Sequence, residues 1–516
     1  MLNTKRSSPS DTTSAHHRTD RRRSARRYLL VAALVAGTTA DPTGASDFNG
    51  DGYEDLAISA PGDSVDGVHG AGVVNVLYGS DGGLTAAGDQ LWHRNTPGIL
   101  GPAHLRAGFG DELTTGDFNG DGYDDLIIAA FQDEVDGISD AGSIQALYGW
   151  VGGLSATNNE LWSQNSPGLQ GTAEEEDQFG EALAAADFDG DGYDDLAIGV
   201  PWEDLLSISN AGAVHVLYGS SSGLTTVNDQ LWTESSPGLS DEAEPGDSFG
   251  QDLATGDFDC NGYSDLAVLA SGTGSIHVLH GSALGLWATG SGPFTTAHNV
   301  LAAGDFDGDG CTDLAVGDSH ADPGGLAQAG AVHVFFGSPR AGLTESGSQY
   351  WHQDVPGVRG KAESEDQFGR ALTACDFDGD GASDLAIGAW DEDVGNIWRA
   401  GATNVLYGSF HSGLNSIGDD IWHQDSEGIR GIAEDQDHLG TALGSGDFNG
   451  DGACDLAVGA AVETIDGEFG AGAVNVIYGT IDSGLTATGD QIWHQGSPGV
   501  KGLAEYLDLF GAVLSD

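Results

Sequence analysis

Seven short segments of the chain carry oxygen-bearing side chains at alternate positions, followed by a closing carboxylate. In DFDGDGYDDLAIGVP, residues 187–201, these are Asp187, Asp189 and Asp191, with Gly192 to turn the chain and Asp195 to complete the set. Calcium is a hard cation that takes about six to eight oxygens, and a loop supplying them from its first, third, fifth, seventh (main-chain) and ninth residues wraps it. The first copy offers Asp47, Asn49, Asp51, the Tyr53 carbonyl and Asp55; the second offers Asp117, Asn119, Asp121, Tyr123 and Asp125. The third adds the Tyr193 carbonyl, and the fourth has Asp257, Asp259, Asn261, Tyr263 and Asp265. The fifth has Asp305, Asp307, Asp309, Cys311 and Asp313, and the sixth Asp376, Asp378, Asp380, Ala382 and Asp384. The seventh has Asp447, Asn449, Asp451, Ala453 and Asp455. An EF-hand shares the first half of this pattern but needs flanking helices and a glutamate at position twelve. That position is apolar here, so a helix–loop–helix is not expected. Up to seven calcium ions are expected, and one cage per repeat gives them a structural role, because metal-binding free energy becomes folding free energy.

Each cage feeds a short branched apolar run such as Leu196 to Val200, stopped by Pro201, which reads as a buried strand. Cage starts lie 70, 70, 70, 48, 71 and 71 residues apart, the mark of a repeat architecture. Within the third period FGEALAAADF, DLAIGV, AVHVLYG and DQLWTE read as four strands separated by turn-rich segments such as SSSGLT. Four strands in each of seven repeats predict an all-β, seven-bladed propeller of antiparallel blades over residues 41–516. The fourth repeat has a contracted second-to-third loop, and ATGSGPFTTAHN replaces its tryptophan strand, so blade four is expected to be shortened. The FG pair that stands eight residues before most cages is missing before Asp47 and appears instead in FGAVLSD, 510–516. A C-terminal strand is therefore expected to pair with Leu56 to Ser59 and close the ring.

The order FG, then DFDGDGYDDLAIG, then AGAVHVLYG resembles the FG-GAP repeat, found in the head propeller of integrin α chains and in exported bacterial proteins. The resemblance covers nearly all of residues 45–516 and implies a seven-bladed propeller with calcium between the first and second strands of its blades. Leu439-Gly440 departs from the FG pattern, and no FG pair precedes Asp305. The integrin leg domains and membrane span are not seen in the sequence, so integrin-type signalling is not expected.

Composition bounds the partners. The formal charge is −63, and residues 1–40 hold eight of the 17 Lys+Arg but only two of the 80 Asp+Glu, leaving −69 on the remainder. Nucleic acid is excluded as a partner on this ground. So acidic a body repels itself unless cations offset the charge. Residues 1–40 read as a signal peptide, with RRRSARR as the basic region, YLLVAALVAG as a core too short to span a bilayer, and Thr38-Thr39-Ala40 at the cleavage site. The mature chain is expected to have no transmembrane anchor and to be a secreted or cell-surface monomer. Cys260, Cys311, Cys375 and Cys454 all fall in or beside cages, and export permits disulfides. Stacked repeats would join Cys260 with Cys311 and Cys375 with Cys454, although the sequence leaves the other pairings and free thiols open.

Trp92, Trp162, Trp232, Trp351, Trp422 and Trp493 recur at one strand position and read as packing between blades rather than sugar platforms. His93, His352, His423 and His494 recur beside four of them, which argues against a unique catalytic base. Strand parity puts the cages on one face and the long variable loops on the other. Those loops include Asp133-Glu134-Val135-Asp136, Trp202-Glu203-Asp204 and Trp390-Asp391-Glu392-Asp393, and Trp202 and Trp390 stand outside the recurrent series as contact candidates. There is no GxSxG, HExxH or phosphate loop, so no catalytic residue is assigned. The expected function is that of an exported calcium-binding module for an extracellular protein or cell adhesion. A lectin-like glycan ligand is the first alternative. The second is a hydrolase, because a similar propeller accompanies the catalytic domain of glycosylphosphatidylinositol phospholipase D.

Overall fold

The computed structural model describes residues 46–288, 294–295 and 300–515. The expected signal peptide, 1–40, lies outside them. The chain forms seven antiparallel sheets, each a blade of a β-propeller in which adjacent strands are consecutive in sequence. Blade two shows the plan, with strands Glu112–Gly116, Asp125–Ala130, Ser143–Tyr148 and Ser155–Trp162. Gly116 pairs with Asp125, so the cage is the loop that closes the innermost hairpin. The second and third strands are buried along their whole length, whereas the fourth is half exposed. That gradient follows from stacking: a central strand has a neighbouring blade on both faces and needs apolar residues on both.

The aromatic residues of the motif make the seams. Phe48, Phe118, Phe188, Phe258 and Phe306, each following the first cage aspartate, are fully buried, as are Phe109, Phe179, Phe249, Phe368 and Phe510 of the FG pairs. The large core clusters each cross a seam. One joins Phe48, Val74 and Val76 of blade one to Leu126, Ile128 and Leu147 of blade two, and another carries Val474 and Val476 of blade seven across to Leu56 and Ile58 of blade one.

Blade four is shortened as expected. Its strands Phe249–Gly256, Asp265–Ala270 and Ser275–Leu279 are followed by an outer strand of two residues, Phe294–Thr295. A four-residue turn, 271–274, joins its second and third strands.

Blade one has three regular strands, Leu56–Ala60, Val73–Tyr78 and Thr85–Trp92, and the C-terminal segment supplies its inner edge. Leu514 makes an antiparallel bridge to Ile58, Gly511 N donates to Ser59 O (2.9 Å), Ser59 N to Val513 O (3.0 Å) and Ser515 N to Ala57 O (3.0 Å). The segment is a bridge rather than a regular strand because side chains replace two ladder acceptors: Ala57 N donates to Ser515 Oγ and Val513 N to Ser59 Oγ, both at 2.9 Å. Phe510 anchors the segment in the core shared by blades six, seven and one. Phe510→Ala is expected to destabilise the protein by about 3–5 kcal/mol, the range for a buried phenylalanine, in urea unfolding. A change below about 1 kcal/mol would mean that the closing segment adds little to the ring.

Candidate functional site

Within a cage, main-chain N–H groups hold the carboxylates in place. Asp187 Oδ1 accepts from Gly190 N (2.7 Å) and Oδ2 from Gly192 N (2.9 Å), while Asp191 Oδ1 accepts from Tyr193 N (3.1 Å). The ninth residue sits deepest. Asp195 Oδ2 accepts from Phe188 N (2.9 Å) and Oδ1 from Gly219 N (2.9 Å) at the end of the third strand. The seven residues at this position, Asp55 to Asp455, are at most 1 % exposed, whereas the fifth position is open to solvent.

Three cages bring carboxylate oxygens within 4.8 Å of one another: Asp187, Asp189 and Asp195; Asp305, Asp307 and Asp313; and Asp376, Asp378 and Asp384. In cages one, two and seven the third residue is asparagine, and its amide donates to the ninth carboxylate, as Asn119 Nδ2 does to Asp125 Oδ2 at 3.2 Å. Cage four departs from the pattern. His280 stands where most blades have a tyrosine, and its Nδ1 lies 3.3 Å from Asp265 Oδ2 and 3.7 Å from Asp259 Oδ2.

Burial dominates the electrostatics. It pushes Asp55, Asp125 and Asp455 up to about 9 and Asp195 and Asp313 up to about 8; main-chain N–H donors oppose the shift, and the other cage carboxylates add to it. A concave set of oxygens that holds protons at neutral pH is short of positive charge. Outside cage four, where the His280 imidazole intrudes, the donors are all oxygen, which suits calcium.

The cages are also joined to one another, through residues that the ligand spacing does not single out. At six of the seven seams residue eight of one cage clasps residue one of the cage before it. Asp47 N donates to Asp124 Oδ2 (2.8 Å) and Asp124 N to Asp47 O (3.3 Å), and Asp117 N donates to Asp194 Oδ2 (2.8 Å). Across the closing seam, Asp447 N donates to Glu54 Oε2 (2.6 Å) and Glu54 N to Asp447 O (3.3 Å). Residue seven lays its ring on the glycine at position four of the preceding cage, so a Cβ on Gly50, Gly120 or Gly190 would strike Tyr123, Tyr193 or Tyr263. The disulfides occupy these same places. Cys260 (position four) joins Cys311 (position seven), and Cys375, just before its cage, joins Cys454 (position eight), with Cα–Cα distances of 5.1 and 6.0 Å.

On the opposite face, many loop acids are spent between blades. Gln164 Nε2 donates to Glu203 Oε2 (2.6 Å), Gln353 to Glu392 (2.8 Å) and Gln424 to Glu463 (2.7 Å), while buried Arg94 lies 3.7 Å from Asp133. Trp390 is not a contact residue. It is buried with the Arg370 guanidinium 4.7 Å from its ring and His438 at 5.1 Å, both from segments distant in sequence. Trp202 is 38 % exposed, with Nε1 donating to Glu181 Oε2 (2.7 Å). The recurrent tryptophans lie against the seams, as Trp92 and Trp232 do in their clusters, and most donate Nε1 to the side chain two residues earlier.

Comparison with known proteins agrees with this geometry. The FG-GAP repeat family matches residues 42–77, 109–147, 179–217, 299–335 and 368–401, and an FG-GAP-like repeat matches 257–316. The chain is an FG-GAP repeat protein. Its propeller resembles that of integrin α chains: integrin alpha-PS2 of Drosophila melanogaster is 30 % identical over 238 residues, 45 % of this chain and 15 % of the relative. Integrin alpha-7 of Rattus norvegicus is 33 % identical over 177 residues, 33 % of this chain and 13 % of the relative. Phosphatidylinositol-glycan-specific phospholipase D of Rattus norvegicus is 35 % identical over 159 residues, 31 % of this chain and 18 % of the relative. The match thus spans less than a fifth of each of these relatives.

Burial also pushes the seam acids Glu203, Glu392, Glu463, Asp437 and Asp508 up to about 7. An unfolded carboxyl titrates near 4, so between about pH 4 and 7 the folded chain holds more protons than the unfolded one. Stability is therefore greatest at the acid end of this window and is lost as pH rises through it. In chelator, urea unfolding is expected to show a falling midpoint from pH 5 to pH 8, and a rising midpoint would contradict this electrostatic picture.

Proposed function

We propose that this FG-GAP propeller is an exported, calcium-stapled module that binds an extracellular protein through the face opposite its cages. The observation that carries the binding reading is a set of apolar tips standing out of acidic loops on that face. Leu206 is fully exposed, Trp398 is 49 % exposed, and Tyr506, 65 % exposed, packs beside Phe469 with ring centroids 6.3 Å apart. Aromatic and apolar anchors rimmed by charge have the composition of a protein-binding patch. Similarity to integrin chains supports the same reading. Two disulfides and the basic–apolar leader support export, and among the described residues no helix is long and apolar enough to cross a membrane.

Calcium would be held by the alternating oxygens and the buried ninth carboxylate of each cage, up to seven ions, with cage four the weakest because the His280 imidazole competes there. The ion would supply the positive charge that these carboxylates lack, and the asparagine at position three would turn its amide oxygen inward. A site filled at about 100 times its dissociation constant adds about 2.7 kcal/mol of folding stability. Chelation is therefore expected to lower the melting temperature markedly and expand the molecule in small-angle scattering. An unchanged melt would remove the stapling role.

A glycan reading is favoured by one separate observation. Trp150, 53 % exposed on the cage face, borders a groove of about 420 Å3 with Asn119, Asp121, Ser155 and Thr157, an aromatic platform beside hydroxyl and amide groups. Calcium-loaded protein should be tested on immobilised extracellular-matrix proteins and on a glycan array. Protein binding that the double variant Leu206→Glu, Trp398→Ala weakens at least about tenfold, or 1.4 kcal/mol, is the expected result. Glycan binding lost in Trp150→Ala would replace it with the second reading.

A further inference from the structure

At each regular seam three positions converge: the residue two after the strand-four tryptophan, a glycine in the connection that follows, and the middle residue of the next blade's third strand. Between blades two and three they are Gln164, Gly171 and His215. A Cβ on Gly171 would stand 3.6 Å from His215 Cε1 and 3.7 Å from Gln164 Nε2. The first position is glutamine in four of the six tryptophan-bearing repeats, and the second is glycine in five of them. At the seam between blades three and four the trio reads Glu234, Asp241 and His277.

We propose that Glu234, Asp241 and His277 form a transition-metal site, separate in place and in chemistry from the cages. His277 Nε2 lies 2.9 Å from Glu234 Oε1, and one donor atom from each of the three residues falls within 4.8 Å of the others. Glu234 is 1 % and His277 2 % exposed, whereas Asp241 is open to solvent and gives an ion its way in. Glu234 Oε2 is buried without a hydrogen-bond donor, and the further acidic side chain beside it, Asp247, brings another carboxylate.

A simple exchange of partners does not account for this set. The glutamine at the first position elsewhere binds an acid from the next blade's second-to-third loop, as Gln164 binds Glu203. Blade four has only the turn 271–274 there, with no acid, so a Glu234–His277 hydrogen bond would replace the lost pair. That exchange does not require a carboxylate at 241; the unpaired oxygen recurs on Gln164, Gln353, Gln424 and Gln495 at the first position, and only at Glu234 does it belong to a carboxylate with a second acid and an imidazole beside it. His215, with Gln164 and glycine for neighbours, shows the same imidazole without the carboxylates; burial alone pushes it down to about 4.

The donor set chooses the ion. One imidazole nitrogen and two carboxylate oxygens suit zinc or a neighbouring transition metal, whereas calcium prefers oxygen throughout. Three protein ligands leave a fourth position for water or for a donor from outside the chain.

The test is calorimetric titration of the full chain with zinc in excess calcium, which keeps the cages filled, with cobalt absorption as a second readout. One ion per chain is expected, with affinity lowered at least about tenfold, the lower bound for losing even an outer-shell partner, in Glu234→Gln, Asp241→Gly and His277→Asn. Each replacement is the residue other blades carry at that position, and a retained melt in calcium shows that the variants fold. No zinc binding by the wild type, or equal binding by Glu234→Gln and His277→Asn, would overturn the proposal.

Discussion

The structure depends on the clasp between consecutive cages. Each cage gathers several carboxylates on one face of the ring, an arrangement that repels itself, yet at six of the seven seams residue eight of one cage donates its N–H to the residue-one carbonyl of the cage before it, the seam between cages three and four being the exception. In several seams it also receives that residue's N–H on its side chain. The same hairpin tips that would hold the ions are therefore the points where blades join. Anything that orders a cage orders a seam, and the clasp between Glu54 and Asp447 carries this round the point where the ring closes.

The departures from seven-fold repetition follow from that coupling. Where the tyrosine-on-glycine contact is lost, Cys260 and Cys311 make the link covalent, and Cys375–Cys454 does so at the residue-eight contact. Phe410 fills a similar role against Gly308 in a blade that lacks the cage tyrosine. Blade four changes most. Its loop is contracted, its outer strand is two residues long, His280 enters its cage, and the acid that its neighbour would bind is gone. Repetition sets what the ring needs for stability, and a specific site belongs where repetition fails.

Much of this was legible in the sequence. Cage positions, strand order and closure by residues 510–515 depend on spacing within one repeat or on matching two incomplete repeats. The role of residue eight was not legible from one cage, because Asp124 faces Asp47 some 77 residues away, although a polar residue or cysteine at that position in all seven copies was a signal. Trp390 misled for the same reason: it stands alone in its loop, but Arg370 and His438 from other segments cover it. Local pattern reports which residues line a strand or a loop; burial by another blade is a property of the ring.

The coupling of cage to seam is tested most directly by hydrogen exchange followed peptide by peptide, in calcium and in chelator. Removing the ion should deprotect the cage amides together with the second and third strands on either side of each seam, including the seam between blades seven and one. Loss of protection confined to the cage loops, with the seams unchanged, would contradict the account.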